Sequence, residues 1–434
     1  MGWNGRNRRR QVSANWTCFD AGTRSGGGNH AVTAPNYVIR VSNSPAELPA
    51  QAWNGLLALE PDPSPFMRHE YLCAMHSTGA AVAQTGWQPQ FVSLWQGSEL
   101  KAACPMYLKR HSYGEYVFDW AWANAYEQHG LAYYPKALVA IPFTPVPGAR
   151  LLAQSPLWRQ RLVEALLGHT RAEDLSSLHL LFVQPQDIAA CTAAGMMLRH
   201  TVQFHWSGLD DSQQPFKDFD QFLASLQQEK RKKIRQERRK VVDAGVRFRW
   251  AQGSNISHSD WAFFYRCYER TYLEHGNAPY LAPTFFERMA NDMADNWLLF
   301  IAERAGRPMA CSLIGLDGQR RTAYGRYWGA LERVDCLHFE ACYYQPLEWC
   351  IANGYLRFEG GAQGEHKMAR ALMPVKTTSA HWLANPAFAD AVDRFLQREG
   401  EGIGQYLEHL EQHSPKRRSG APNTPSTKQH RDQA

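Results

Sequence analysis

Short apolar runs of strand length alternate along this chain with longer stretches of helical period. FVSLW, a turn at Gln96 and Gly97, and LKAACPMYL read as a strand pair; LLFIAE, a turn at Ala305 and Gly306, and MACSLIGL repeat that arrangement about 209 residues later. Aromatic strand material follows each pair, YGEYVFDWAWA in one half and TAYGRYWGA in the other. Each half then continues into a helix, LWRQRLVEALLGH or HFEACYYQPLEWCIANG, and into an apolar strand, LHLLFV or LRFEG. The pattern predicts an α/β (α+β) fold made of two copies of one mixed-sheet unit.

Between the halves, Leu223, Leu226, Ile234 and Val241 fall at roughly helical spacing in FLASLQQEKRKKIRQERRKVV, with Gly245 placed to end that helix and VRFRW to begin a strand. A boundary near residue 210 follows, giving a first unit over 37–210 and a second over 211–412 that opens with the basic helix. Residues 1–36, with RNRRR and GTRSGGGN, lack the apolar content to offset their ordering entropy and read as a disordered extension. The tail, 413–434, reads the same way.

Composition narrows the class. A chain of 434 residues with 44% hydrophobic content buries a sizeable core. No apolar stretch approaches the roughly 20 residues of a membrane span, and the first thirty residues lack a signal-peptide core, so a cytoplasmic location is expected. Nine cysteines without a CxxC pair suit neither a disulfide framework nor a zinc site; reduced, buried thiols are expected, and no metal. A net charge of +6 is modest for this length and gives no DNA-binding footprint.

Chemistry concentrates after LRFEG. Glu359, Gly360, Gly361, Ala362, Gln363, Gly364, Glu365, His366 and Lys367 stand at the carboxyl end of that strand, where open α/β sheets bind ligands. Three glycines within five residues let backbone N–H groups approach an anion or a developing oxyanion. Glu359, Glu365 and His366 are base candidates, and Lys367 or Arg370 can hold an anion. The preceding helix places Phe339, Tyr343, Leu347 and Ile351 four apart as an apolar stripe, with a kink expected at Pro346 and closure at Gly354. In the first half, alternation along HSYGEYVFDWAWA sends Tyr113, Glu115 and Asp119 to one face and Trp120 and Trp122 to the other. An acceptor can meet either face, with Arg150 in the proline-rich PFTPVPGARLL as an anion hook and Arg326 and Trp328 as further contacts. Between Lys230 and Lys240, eight of eleven residues are Lys or Arg and Glu237 is the only acid. Arg231, Lys233 and Arg235 thus belong either to a solvated face or to a phosphate-binding helix.

The run from TAYGRYWGA to GAQGEHK is similar to the second half of FemAB-like proteins of the GNAT acyltransferase superfamily. SYGEYVFDWAWANAYEQHG, YYPKALVAIPFTPVPGARLL, HFEACYYQ, GAQGEHKMAR and SAHW resemble predicted N-acyltransferases labelled peptidoglycan biosynthesis or recognition proteins, over about Pro63 to Phe395. The resemblance implies two tandem GNAT-like units and an N-acyltransferase that uses acyl-CoA, or aminoacyl-tRNA, as co-substrate, with no tightly bound cofactor. The acceptor is then a small molecule or glycan related to the cell wall. A catalytically inert module that recognises a glycan or protein is the competing class. In GNAT chemistry a base frees the attacking amine, amides hold the oxyanion and an acid protonates the leaving group. Glu359, Glu365 and His366 suit the first role, and the Gly360 to Gly364 amides the second. Tyr344 suits the third, since helical spacing assigns Tyr343 to the core.

Overall fold

A computed structural model describes residues 37–362 and 364–416. The extension expected at 1–36 and the tail beyond Lys416 lie outside these residues, as does Cys18. The strands are β1 (Val38–Ser42), β2 (Trp87–Pro89), β3 (Phe91–Gln96), β4 (Glu99–Cys104), β5 (Met106–Lys109), β6 (Lys136–Val139), β7 (Leu152–Ala153), β8 (Ser177–Leu180), β9 (Met197–Ser207), β10 (Val246–Gln252), β11 (Trp297–Arg304), β12 (Arg307–Asp317), β13 (Thr322–Ala330), β14 (Arg357–Ala362) and β15 (Met373–Leu383). They form a four-stranded sheet, β1-β3-β4-β7, and an eleven-stranded sheet, β10-β11-β12-β13-β14-β9-β15-β8-β6-β5-β2.

The repeat seen in the sequence becomes a pseudo-two-fold. β6 runs parallel to β8, and β13 runs parallel to β14. Between these two parallel pairs the halves exchange strands: β9, from the first half, pairs with β14, while β15, from the second, pairs with β8. β9 and β15 pair with each other along nine residues, and the Thr201 and Thr377 hydroxyls meet at 2.7 Å in the middle of that ladder. The mixed α/β architecture in two units is therefore the one the residue pattern implied, completed by a reciprocal exchange that it did not reveal.

Two helical expectations need correction. YGEYVFDWAWA is not a strand: residues 111–118 form a turn with Gly114 at φ 81° and Tyr116 at φ 63°, and Trp120–Gln128 is a helix. Ala121, Ala123 and Ala125 are strong helix formers, and in that helix buried Trp122 and Tyr126 are four apart. The basic linker is two helices, Phe219–Ala224 and Gln228–Asp243, rather than one. At the break, the Gln227 N–H donates to the Pro415 carbonyl, and Leu226 forms a β-bridge with Lys416. The tail thus remains ordered to Lys416, three residues past the point where it was expected to fray.

Gly245, at φ 74°, ends the basic helix, and Gly354, at φ 72°, ends the later one. The eight described cysteines are free. Among the described residues no helix is long and apolar enough to cross a membrane.

Candidate active site

The parallel strands β13 and β14 are paired for only three positions, Thr322↔Arg357, Ala323↔Phe358 and Tyr324↔Glu359. Beyond them the strands separate. Two irregularities open this fork. The register between β12 and β13 shifts so that Leu313 faces Tyr327 while Ile314 faces Gly325, which leaves Arg326 as the extra residue of a bulge. On the other arm, pairing of β14 with β9 is interrupted between Glu359 and Ala362, at the Gly360 and Gly361 pair. A cavity of about 150 Å³ occupies the fork, lined among others by Arg326, Trp328, His338, Tyr343, Phe358 and Gly360.

One wall of the cavity comes from the helix after β13. It runs through Leu337–Phe339, a π-helical turn at Glu340–Tyr344 and Gln345–Ala352, so the irregularity expected at Pro346 appears as a π-turn just before it. The extra residue in that turn rotates the tyrosines. Tyr343 lines the cavity, and its hydroxyl lies 3.5 Å from His366 Nε2. Tyr344, expected to face the cleft as the acid, is 1% exposed and donates to Glu237. Regular helical spacing therefore reversed which tyrosine meets the cavity.

Burial pushes the Tyr343 phenol well up, so it stays protonated at neutral pH. His366 is exposed, and partial burial with Arg370 and Lys367 nearby lowers its pKa, which favours the neutral, proton-accepting imidazole. Across the fork, burial and the neighbouring His366, Arg370 and Lys367 hold His338 down to about 4.

The loop itself is braced from below. Lys367 Nζ donates to the Gly360 and Gly361 carbonyls at 2.7 and 3.2 Å, and burial lowers its pKa to about 8. It therefore secures the glycine turn, with Gly361 and Gly364 both at positive φ. Arg370 donates to the His366 carbonyl at 2.6 Å and to both Glu237 oxygens at 3.0 and 2.8 Å, and its guanidinium lies 3.4 Å from the centre of the Phe339 ring. Arg370 was expected to hold a ligand's anion; its charge is instead taken up by Glu237. Gln363 and the side chain of Glu365 lie outside the described residues.

Glu359 does not face this cavity. Phe358 and Gly360 line the fork, and strand alternation turns Glu359 to the opposite side of the sheet. There it is 5% exposed, with Arg357 Nε at 3.3 Å, and burial pushes its pKa up to about 8.

The first-half candidates are dispersed. Glu115 and Asp119 are buried while Tyr113, expected on their face, is exposed, and Tyr116 and Phe118 are exposed while Trp122, expected on theirs, is buried, so neither expected face exists. The cause is Lys136, whose ammonium donates to Ser112, Glu115 and Asp119 at 2.8, 2.8 and 2.5 Å. Burial raises Glu115 to about 7; for Asp119, burial acts the same way but Lys136 outweighs it and holds the carboxyl well down. Both carboxylates are thus consumed in an internal ion cluster. Trp122 packs inside against His381, and Trp120 is half-buried against Tyr113, with ring centres 5.0 Å apart. Arg150, expected to be an anion hook, is fully buried, and its guanidinium donates to the carbonyls of Val146, Gly148 and Ala149. It staples the proline-rich loop.

That loop nonetheless reaches the fork. Arg326 Nη2 donates to the Phe143 carbonyl, the Thr144 hydroxyl and the Tyr327 hydroxyl, each at 3.2 Å. The first half therefore anchors a residue of the bulge in a fork that belongs to the second. The basic helix lies behind the site. Arg231 donates to the Ala224 carbonyl at 3.3 Å, Arg235 lies 3.5 Å from Asp220, and Lys232, Lys233, Arg235, Arg239 and Lys240 face solvent. Sequence reasoning missed His338, Phe143 and Tyr327. The positive φ of Phe143 and the bulge that re-aims Arg326 leave no pattern in residue type.

The sequence pattern of the FemAB-like family, described as peptidoglycan biosynthesis/recognition, matches residues 44–418. No curated protein sequence matches the chain. Among solved structures it is similar to FemX, with 10% identity and a TM-score of 0.49 over 80% of this chain and 98% of that one. The C-terminal domain of a putative lysylphosphatidylglycerol synthetase from Agrobacterium fabrum also shows 10% identity and a TM-score of 0.49, over 80% and 96% of the two chains. A tandem GNAT protein from the clavulanic acid biosynthesis pathway shows 11% identity and a TM-score of 0.43, over 81% and 99%.

Proposed function

The chain belongs to the FemAB-like family, and from that premise we propose that it moves an acyl or aminoacyl group from an activated donor, acyl-CoA in the leading version, onto the amine of a small or cell-wall-related acceptor. It is a transferase of the acyltransferase type. The observation that carries the reading is the fork: two parallel strands part at their carboxyl ends around a cavity that meets Tyr343 and, through it, His366.

Direct attack needs three things from such a site. The neutral His366 imidazole takes the proton that the ammonium must lose before it attacks. The attack forms an oxyanion, for which backbone N–H groups of the glycine arm are the available donors. Tyr343, kept protonated by burial, gives its proton to the departing thiolate or alkoxide, the His366 imidazolium 3.5 Å away can restore it, and the second proton of the acylated nitrogen leaves to solvent.

Incubating the full chain with acetyl-CoA and longer acyl-CoAs plus a panel of amines, and following thiol release, tests the donor. Release that falls at least tenfold in Tyr343→Phe and His366→Ala supports the reading. No release from any acyl-CoA removes the acyl-CoA version.

A second donor is favoured by one observation, the solvent-facing row Lys232, Lys233, Arg235, Arg239 and Lys240 on Gln228–Asp243. An aminoacyl-tRNA donor would use that row for phosphate contacts. It predicts tRNA binding whose salt dependence weakens by about one charge for each residue neutralised. Unchanged binding by the neutralised variant rules that donor out. If neither donor is consumed, a module that recognises a glycan or protein remains.

A further inference from the structure

Several histidines inside this fold are committed to a hydrogen-bond partner. His69 reaches the Pro45 carbonyl at 2.8 Å, His169 the Gln90 side-chain oxygen at 2.9 Å, and His179 and His381 meet each other at 2.8 Å. His338 differs. It is half-buried at the wall of the fork cavity, and among the described residues neither of its ring nitrogens makes a hydrogen bond.

Aromatic packing holds the ring instead. Trp328 and Tyr343 stand edge-on to His338, with ring centres 5.4 and 5.7 Å away and interplanar angles of 73° and 89°, and both line the same cavity. Such contacts fix the plane of an imidazole without using either nitrogen. Other polar side chains of the wall are engaged: the Ser312 hydroxyl bonds to the Cys342 thiol, the Tyr327 hydroxyl accepts from Arg326, and Tyr343 lies beside His366.

Charge decides what His338 can do there. Burial, with His366, Arg370 and Lys367 nearby, holds it down to about 4, so at neutral pH it is too weak a base to take a proton from an ammonium. A neutral imidazole still presents one N–H. A desolvated, pre-positioned donor of that kind stabilises negative charge that develops beside it, with no reorganisation at the moment of reaction. Size places a reacting carbonyl within its reach. The cavity is about 150 Å³, a volume that takes a benzene-sized guest, so a short acyl group fills it and lies against the walls.

We propose that the His338 N–H donates to the carbonyl oxygen of the acyl donor and holds the oxyanion that forms when the amine attacks, adding a side-chain donor to the glycine amides. This rests on the fork being the site of transfer from a CoA thioester and names the side chain that meets the reacting carbonyl. The N–H keeps its proton throughout. The oxyanion collapses to the new amide carbonyl as the C–S bond breaks, and Tyr343 protonates the thiolate.

The test uses two analogues that transfer no acyl group: S-acetonyl-CoA, which carries a ketone, and S-propyl-CoA, its carbonyl-free counterpart. Each is titrated by calorimetry into the full chain, in wild type, His338→Leu and His338→Gln, with thermal scans to check folding. Wild type should bind the ketone about 3- to 10-fold more tightly, His338→Leu should lose that preference, and His338→Gln, which keeps an N–H, should retain part of it. In turnover with acetyl-CoA, His338→Leu should lower kcat about 100-fold and move KM much less, while His338→Gln should keep the acid limb of the pH profile. Nitrogen NMR of isotope-labelled histidine in wild type should show the His338 ring responding to the ketone and not to the propyl compound, a readout that stands even where a variant fails to fold. Equal affinity of wild type for the two analogues overturns the proposal, as does an intact preference in His338→Leu. His338→Gln no better than His338→Leu assigns the ring to packing, and loss of the acid limb makes it the base; either result overturns it too. Binding of neither analogue removes the acyl-CoA reading together with this assignment. A carbonyl preference through His338 in a protein that acylates no amine leaves His338 as the carbonyl's donor and removes the transferase reading.

Discussion

Removing the Glu237 carboxylate should loosen the loop that carries His366, even though Glu237 lies on another helix. Glu237 is 8% exposed and Arg370 is 2% exposed, so their pair is desolvated. In Glu237→Ala, Arg370 keeps its bond to the His366 carbonyl and its place over Phe339 but loses the anion it pairs with at 2.8 Å. Breaking a buried pair from one side costs about 3–5 kcal/mol. Tyr344, buried and donating to the same carboxylate, loses its acceptor, a penalty of about 1–3 kcal/mol that overlaps the first. We expect a net loss of about 4 kcal/mol for Glu237→Ala and roughly half of that for Glu237→Gln, which keeps the shape and an acceptor for Tyr344. Urea unfolding of the two alanine variants and Glu237→Ala/Arg370→Ala gives the cycle, and the double variant should lose less than the sum by about 2 kcal/mol. Hydrogen exchange localises the effect: the Lys367 amide, bonded to the Gly364 carbonyl at 3.0 Å, should exchange faster. A loss below about 1 kcal/mol, strict additivity, or unchanged exchange at Lys367 would refute the reasoning.

Three further outcomes follow from the geometry. Tyr343→Phe should lower turnover while leaving stability within about 1 kcal/mol, and Tyr344→Phe should do the opposite, because Tyr343 meets the cavity and Tyr344 meets Glu237; turnover and urea midpoints measured together distinguish them, and the reverse outcome would restore the regular helical assignment. Glu359 has an ordinary value of 4.5 raised by burial to about 8, so the folded state holds a proton that the unfolded state has released. Its contribution is present below about pH 4.5 and is lost as pH rises toward 8; Glu359→Gln should therefore flatten the fall in stability across that window, and an unaltered pH profile would count against it. Gly329→Ala should destabilise by about 3 kcal/mol or more, since its new Cβ would overlap the backbone carbonyl of Cys267, whereas in Gly360→Ala the closest atom is a movable Leu372 methyl and about 1–3 kcal/mol is expected. Thermal midpoints rank the two.

How much of this could be read from the chain depends on the range of the interactions involved. β3 and β4, β11 and β12, β13 and β14 were legible because each is an apolar run bounded by local turn residues such as Gly97 and Gly306. The loop after β14 was legible as a site because glycines and ionisable groups are crowded in a few residues. What failed was set by partners distant in sequence. Glu115 and Asp119 look like an unpaired acidic face until Lys136, 21 and 17 residues away, is folded onto them. Arg370 looks free until Glu237, 133 residues back, is seen beside it. Glu237 itself reads as a lone acid among eight basic residues and turns out to be buried against Arg370 and Tyr344.

The strand exchange explains why the fork is built between halves rather than within one. With β9 lying between β14 and β15, the arm of the fork that carries Gly360 and Gly361 is paired to first-half backbone, and the interruption of that pairing after Glu359 is what lets the glycines turn away. On the other arm, Arg326 closes onto Phe143 and Thr144, again from the first half. The equivalent fork of the first half, between β6 and β8, has no such freedom: the Leu181 amide donates to the Val139 carbonyl, and the Gly148 amide to Phe182, so proline-rich chain fills the opening. Beyond it, Arg159 is locked to Glu60 and Asp187. The chain thus carries two parallel forks, of which one is sealed by a loop stapled by Arg150 and the other is left open beside Arg326. The sealed copy serves the open one, because the same stapled segment that blocks the first fork presents Phe143 and Thr144 to Arg326 in the second.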